Sequence, residues 1–214
     1  MKTNAIVLGL VAASVWTGSA FVNKPAEVPT VKAAAKATTY AVDTEQSVIN
    51  WNGKKVTGEH YGTVKINKGT LSVDGNKLTG GTVEADMKTL TSLDLKDNEN
   101  MYNRLVTHLK SDDFFSVEKH PVATFVITKA TPKGGSQYDL TGNLTIKGIT
   151  QPVTFPATVN ITKNGVEANG KMSVDRTKYD IKFRSKSFFE NLGDKAIYDD
   201  FTLEVKLLAK KGTV

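Results

Sequence analysis

Histidines, paired carboxylates and reactive hydroxyls carry most side-chain chemistry, and this 214-residue chain holds few of them in usable arrangements. His60, His108 and His120 are its three histidines, and imidazole is both the group that titrates nearest neutrality and a frequent metal ligand. A metal site needs ligands at close spacing, and no His-x-x-x-His or comparable pair occurs. His60 falls at a strand end near a Gly-rich turn, His108 within an expected helix, and His120 before Pro121. They read as structural or mouth-lining residues. The doublets Asp112-Asp113 and Asp199-Asp200 invite an acid/base pair. Adjacent strand residues point to opposite faces, however, so neither doublet can cooperate if extended; Asp112-Asp113 fits a turn after the helix. Ser111 and Ser116 stand in no Gly-x-Ser-x-Gly context, and no phosphate-cradling Gly loop is found. The chain has no cysteine, which removes thiolate nucleophiles, thiolate metal sites, disulfides and a lipid-modified N-terminal cysteine. These residues predict no enzyme, no metal and no cofactor.

What remains is a scaffold, and its pattern is strongly periodic. Apolar residues alternate with polar ones in Val83, Ala85 and Met87, in Phe125 and Ile127 after Ala123, and in Leu140, Leu144 and Ile146. The same rhythm runs through Val153, Phe155, Ala157, Val159 and Ile161, and through Phe201, Leu203, Val205 and Leu207. Strands with one dry and one wet face pair antiparallel, because parallel strands covered on both faces read as continuous apolar runs. Asn164-Gly165 between two such runs predicts a type I′ hairpin, and Asp74-Gly75 and Gly134-Gly135 mark further turns. Between Asp97 and Lys110 the apolar residues Met101, Leu105 and Leu109 fall four apart behind a polar Asp-Asn-Glu-Asn, the pattern of a short capped helix. A sheet of about eight strands leaves edges, and closure into a barrel removes them. The expected fold is therefore all-β, an eight-stranded antiparallel barrel with one short helix plugging or flanking an end.

Residues 1–21 have the form of a cleavable signal peptide, with Lys2, an apolar run from Ala5 to Val15, and small residues at Gly18-Ser19-Ala20. The run is short for a bilayer span, so the expected product is released into the periplasm or the medium, without stable membrane insertion. Residues 22–38 mix Pro, Ala, Lys and Thr and read as a flexible tether, leaving 39–210 as one β domain. The formal charge is +6, but Lys and Arg alternate with apolar residues, as in Thr63-Val64-Lys65-Ile66 and Glu204-Val205-Lys206-Leu207. That is a solvated outer face, and no nucleic-acid partner is expected.

Four segments, in order, resemble the YceI-like family of secreted bacterial proteins. They are Trp51 to Gly62 (WNGKKVTGEHYG), His108 to Phe125 (HLKSDDFFSVEKHPVATF), Leu140 to Pro156 (LTGNLTIKGITQPVTFP), and Asp175 to Ile181 leading into SKSFFENLGDKAIYDDFTLEV. His120 stands where the family usually has Tyr and Asp180 where it commonly has Gly, so neither takes a family role. The resemblance implies a lipocalin-like barrel whose elongated interior, in some members, accommodates a polyisoprenoid chain, with no reaction or cofactor. Such a protein would hold an isoprenoid, a quinone or a similar apolar chain for sequestration, transport or storage; a homodimer is compatible with it. The residues expected to bind the chain are Trp51, Val83, Ala85, Met87, Phe114, Phe125, Ile127, Leu144, Ile146, Phe155, Val159 and Phe188. From the pattern alone the same side chains could instead fill a solid core, giving a structural or interaction protein of the cell envelope. The doublets Phe114-Phe115 and Phe188-Phe189 lie where the strand rhythm lapses, and are expected to fold inward over a barrel end, as plugs or as contacts at the mouth.

Overall fold

Alternating side chains commit each strand to one wet and one dry face, and the chain resolves this by curling the sheet until it meets itself. The computed structural model describes residues 37–211, so the expected signal peptide and all but the last two residues of the expected tether lie outside the described residues. Thr38, counted with the tether from sequence, already pairs with Val73 and opens the first strand.

The strands are β1 (Thr38–Val42), β2 (Val48–Lys55), β3 (Gly58–Asp74), β4 (Lys77–Asp86), β5 (Val122–Gly134), β6 (Gln137–Ile146), β7 (Ile149–Ile161), β8 (Gly165–Asp175) and β9 (Ile197–Lys211). Every pairing is antiparallel, and the β3–β4 pairing closes the ring. Nine segments make eight staves, because β1 and β2 occupy one place in succession between β3 and β9. They are parted by a turn in which the Asp43 carboxylate accepts the N–H groups of Glu45 and Gln46, each at 3.2 Å. Alternation is clear in β6, where Tyr138, Leu140, Gly142, Leu144 and Ile146 are buried in turn.

The type I′ turn sits elsewhere than expected. Asn164 and Gly165 keep ordinary backbone angles, while Lys147 (φ 51°) and Gly148 (φ 74°) both take positive φ between β6 and β7. Three residues separate β7 from β8, so the tight two-residue geometry is not required there. The Thr162 hydroxyl instead accepts the N–H groups of Asn164 at 3.3 Å and Gly165 at 3.2 Å. Gly165 is needed for another reason: a side chain there would collide with the Ala209 carbonyl of β9.

One seam of the barrel is incomplete. The Lys147-Gly148 turn makes Ile146 and Ile149 a hydrogen-bonded pair, so odd-numbered residues of β7 bond to β6 and even-numbered ones present their backbone to β8. Pro152 and Pro156 are even-numbered and have no N–H to give. The β7–β8 ladder accordingly runs from Ile161/Val166 only as far as Ala157/Gly170.

The single α-helix among the described residues, α1 (Glu99–Lys110), links β4 to β5 at one end of the barrel. Asn98 caps it, its side-chain oxygen accepting the Met101 N–H at 3.1 Å. Its dry face is Tyr102, Leu105, Val106 and Leu109, and Met101 is exposed. That helix end also carries the long segment from Arg176 to Ala196; among the described residues, the strand connections at the opposite end are short hairpin turns.

Candidate functional site

Inside the barrel lies an apolar cavity of about 230 Å³. It extends from Leu71 and Leu78 past the middle of the barrel to the helix end, where Lys54, Lys55, Tyr198 and Asp200 line its mouth. Ten of the twelve residues expected to bind a chain line it: Trp51, Val83, Ala85, Met87, Phe114, Phe125, Ile127, Leu144, Ile146 and Phe155. Two do not. Val159 is buried, but it belongs to the filled end of the barrel beside Val166 and Ala209 and does not reach the cavity. Phe188 is half exposed, as is Phe189, so that doublet turns outward and the expectation of an inward fold is corrected there.

Space for the large rings is made by residues without side chains. A Cβ on Gly142 would stand 2.5 Å from Cζ of Phe125, as well as 2.4 Å from the Val126 carbonyl oxygen, and one on Gly170 would stand 2.7 Å from Cε2 of Phe155. Both substitutions would displace a phenyl group that now sits against the barrel wall, the two ring centroids being 5.5 Å apart. Gly62, in the first family-like segment, leaves no room for a side chain against the Thr91 carbonyl. This lets Thr89 to Asp94 run along β3 where β4 has ended, and Trp51 donates its indole N–H to the Thr91 carbonyl at 3.0 Å.

The helix end is roofed by side chains from loops. His108 of α1 stacks edge-on against Phe114 at 5.0 Å and Phe183 at 4.7 Å, and Phe115 meets Phe201 at 6.3 Å. Asp112 and Asp113 lie in the turn after the helix, as expected, and each holds it shut. Asp113 bonds to Nε2 of His108 at 2.9 Å; Asp112 accepts the Ser116 hydroxyl and pairs with Lys119 at 2.7 Å. Lys119, then Ser116, hold the Asp112 carboxyl below its usual pKa.

Polar groups gather at the mouth. His60 Nδ1 lies 2.7 Å from Asp94, whose other oxygen accepts the Tyr61 N–H at 3.0 Å and the Ser92 hydroxyl at 2.8 Å. Burial pushes the Asp94 carboxyl up, but the hydrogen bonds from His60, Tyr61 and Ser92 outweigh it and leave the pKa lowered. Arg176 is buried and donates to the carbonyls of Ile181 (2.8 Å), Tyr198 (3.0 Å) and Ile197 (3.1 Å), and to Asp199 at 3.3 Å. Burial draws its pKa down while Asp199 and Asp175 oppose the shift. It ties the start of β9 to the preceding loop. Beside it Tyr179 is buried, its hydroxyl has no partner among the described residues, and burial pushes its pKa up to about 12. The histidines stand apart: His60 with Asp94, His108 with Asp113, and His120 near Gly148. Asp199 and Asp200 diverge, Asp199 to Arg176 and Asp200 to the mouth.

Sequence reading did not place Leu105 and Leu109 of α1, Ile181, Ile197, or Phe201, Leu203 and Val205 of β9 in the cavity, all of which line it. The β9 residues carried a usable signal in their alternation. Ile181 and Ile197 lie outside any periodic run and had none.

Fold and site together define a closed, lipocalin-like antiparallel β-barrel that encloses an apolar cavity with a polar mouth. The YceI-like domain matches residues 40–209, and the chain belongs to the YceI-like family. Among its relatives, protein YceI of Escherichia coli is 31% identical over 151 residues, covering 71% of this chain and 75% of that one. A UPF0312 protein of Pseudomonas putida is 35% identical over 132 residues, 59% of this chain and only 64% of the relative's length. Of solved structures, Burkholderia cenocepacia BcnA superposes with a TM-score of 0.64 at 23% identity, over 79% of this chain and 99% of its own. A polyisoprenoid binding domain from Saccharophagus degradans gives 0.59 at 11% identity, over 82% and 99%. At these identities the structural likeness concerns the fold.

Proposed function

We propose that this protein holds an apolar chain, an isoprenoid or quinone-like lipid, in its barrel and carries or stores it outside the cytoplasm. The observation behind this reading is the cavity itself: it is walled mainly by Val, Leu, Ile, Phe and Met, and its ionisable groups gather at the mouth. An occupant with an apolar tail and a polar head matches that distribution. The description of the Saccharophagus degradans domain as polyisoprenoid binding supports the choice of chain. Burying each methylene is worth roughly 0.8 kcal/mol. About ten of them would supply up to roughly 8 kcal/mol before the entropy of ordering the chain is subtracted, so tight binding needs no reactive side chain. The signal-like residues 1–21 support an exported location, in the periplasm or beyond.

Native mass spectrometry of protein purified from its host tests the reading. The expected result is a mass excess that disappears on solvent extraction and reappears in the extract as a lipid. A bare polypeptide mass under non-denaturing conditions would instead favour a structural role for the barrel.

A further inference from the structure

Large apolar side chains left exposed are unevenly placed. Among the described residues Val126 stands on the barrel wall, whereas the others, Val56, Phe188, Phe189 and Tyr198 among them, lie at the helix end. Those four belong to one continuous strip. Val56 donates its N–H to the Ala196 carbonyl at 3.3 Å, Lys55 pairs with Ile197, and Ile197 donates to the Arg184 carbonyl at 3.0 Å. The two phenylalanines are held outward by a buried anchor. Their N–H groups both donate to the Ser185 carbonyl, at 3.1 and 2.9 Å, and Ser185 is fully buried. Each phenylalanine is nonetheless 50% exposed.

Cations interleave with these rings. Lys182, Arg184 and Lys186 precede the phenylalanines with no acid between them, and Lys54 and Lys55 adjoin Val56. Lys182 Nζ stands 5.2 Å from the centre of the Phe188 ring. Lys54 pairs with Glu59 at 3.6 Å and Lys182 with Asp180 at 2.6 Å, whereas among the described residues Lys55, Arg184 and Lys186 make no ion pair; the other acids near the rim, Glu190, Asp194, Asp199 and Asp200, come after the rings in sequence. Lys54, Lys55 and Tyr198 also line the cavity, so the strip and the mouth are one surface. Aromatic tips flanked by snorkelling cations are the composition that lies in the headgroup layer of an anionic bilayer.

We propose that this rim docks reversibly on an anionic lipid surface, with Phe188 and Phe189 entering the headgroup layer and Lys54, Lys55, Arg184 and Lys186 facing lipid phosphates. The choice of a bilayer over an acidic protein rests on the proposed reading of the cavity, because an apolar chain is exchanged where it is soluble. The docked orientation sets the mouth against the membrane.

Co-sedimentation of the full-length chain tests this, using vesicles of phosphatidylcholine alone and of phosphatidylcholine mixed with phosphatidylglycerol. Any contribution of the N-terminal apolar run is common to every variant compared. Binding to the mixed vesicles should exceed binding to neutral ones and weaken with salt. Phe188→Ser/Phe189→Ser and Lys54→Glu/Lys55→Glu should each lower it about tenfold, while Lys77→Glu/Lys163→Glu at the opposite end leaves it unchanged. Equal binding by rim and opposite-end variants, or rim-dependent binding to an acidic protein in place of vesicles, overturns the proposal. Extractable lipid is measured in the same preparations, so a failure of docking with the lipid retained is distinct from a failure of the carrier reading.

Discussion

The two ends of this barrel follow one sequence rule and reach opposite results. At the turn end Val73, Val166 and Ala209 are 0–2% exposed and, with the buried Tyr138 and Val159, lie beyond the reach of the cavity. Toward the helix end the same inward alternation leaves a cavity, because Gly142 and Gly170 let the rings of Phe125 and Phe155 lie against the wall. There the roof comes from α1 and the loops, so no facing strand fills the axis. Alternation decides which side chains point inward; their volumes, and what closes each end, decide whether the inside is solid.

That difference predicts unequal responses to one kind of truncation. Val166→Ala, in the solid end, should cost about 2–3 kcal/mol, since it opens a hole in close packing. Chemical denaturation measures it. Gly170→Ala comes next, at about 1–3 kcal/mol, because a methyl group must push Phe155 toward the cavity axis. Lipid content should fall in this variant while the fold persists. Leu144→Ala should be milder than Val166→Ala although it removes more atoms, about 1–2 kcal/mol in the empty protein, since the space beside it already exists. Equal losses at Val166 and Leu144 would erase the distinction between the ends.

Much of this was legible in the sequence, and the misses share a cause. Strands, closure and the capped helix follow from period and turn chemistry, which are local. Val159 and Phe155 look alike in sequence, two inward residues of one strand, yet only Phe155 reaches the cavity. Their difference depends on how far along the barrel axis each lies and on Gly170 across the seam. Phe114 and Phe188 also look alike, each opening a doublet after a polar turn. Phe114 is drawn in by His108 and Phe183, whereas the buried Ser185 turns Phe188 out. Arg176 was passed over because its partners are backbone carbonyls at both ends of the loop it closes, which no side-chain motif announces.

The smallest expected effect concerns acid. Asp94 has a lowered folded pKa, so its contribution to stability is present above the ordinary carboxylate value near about pH 4 and is lost as pH falls through the folded value. Asp94→Asn should therefore reduce stability at neutral pH and flatten the decline on acidification, as thermal melts across that range would record. An unchanged slope would mean that the His60–Asp94 link does not stabilise the mouth.

The central claim is that the space beside Leu144 is there to be occupied by a chain. Wild type and Leu144→Trp, purified side by side from the host and extracted with solvent, address it most directly. The wild type should release a lipid with an extended apolar chain, and the variant should stay folded with its melting midpoint little changed but release none, its indole taking the place of the chain. A wild type without extractable lipid, together with a variant that unfolds, would show the interior to be a solid core and would contradict the account.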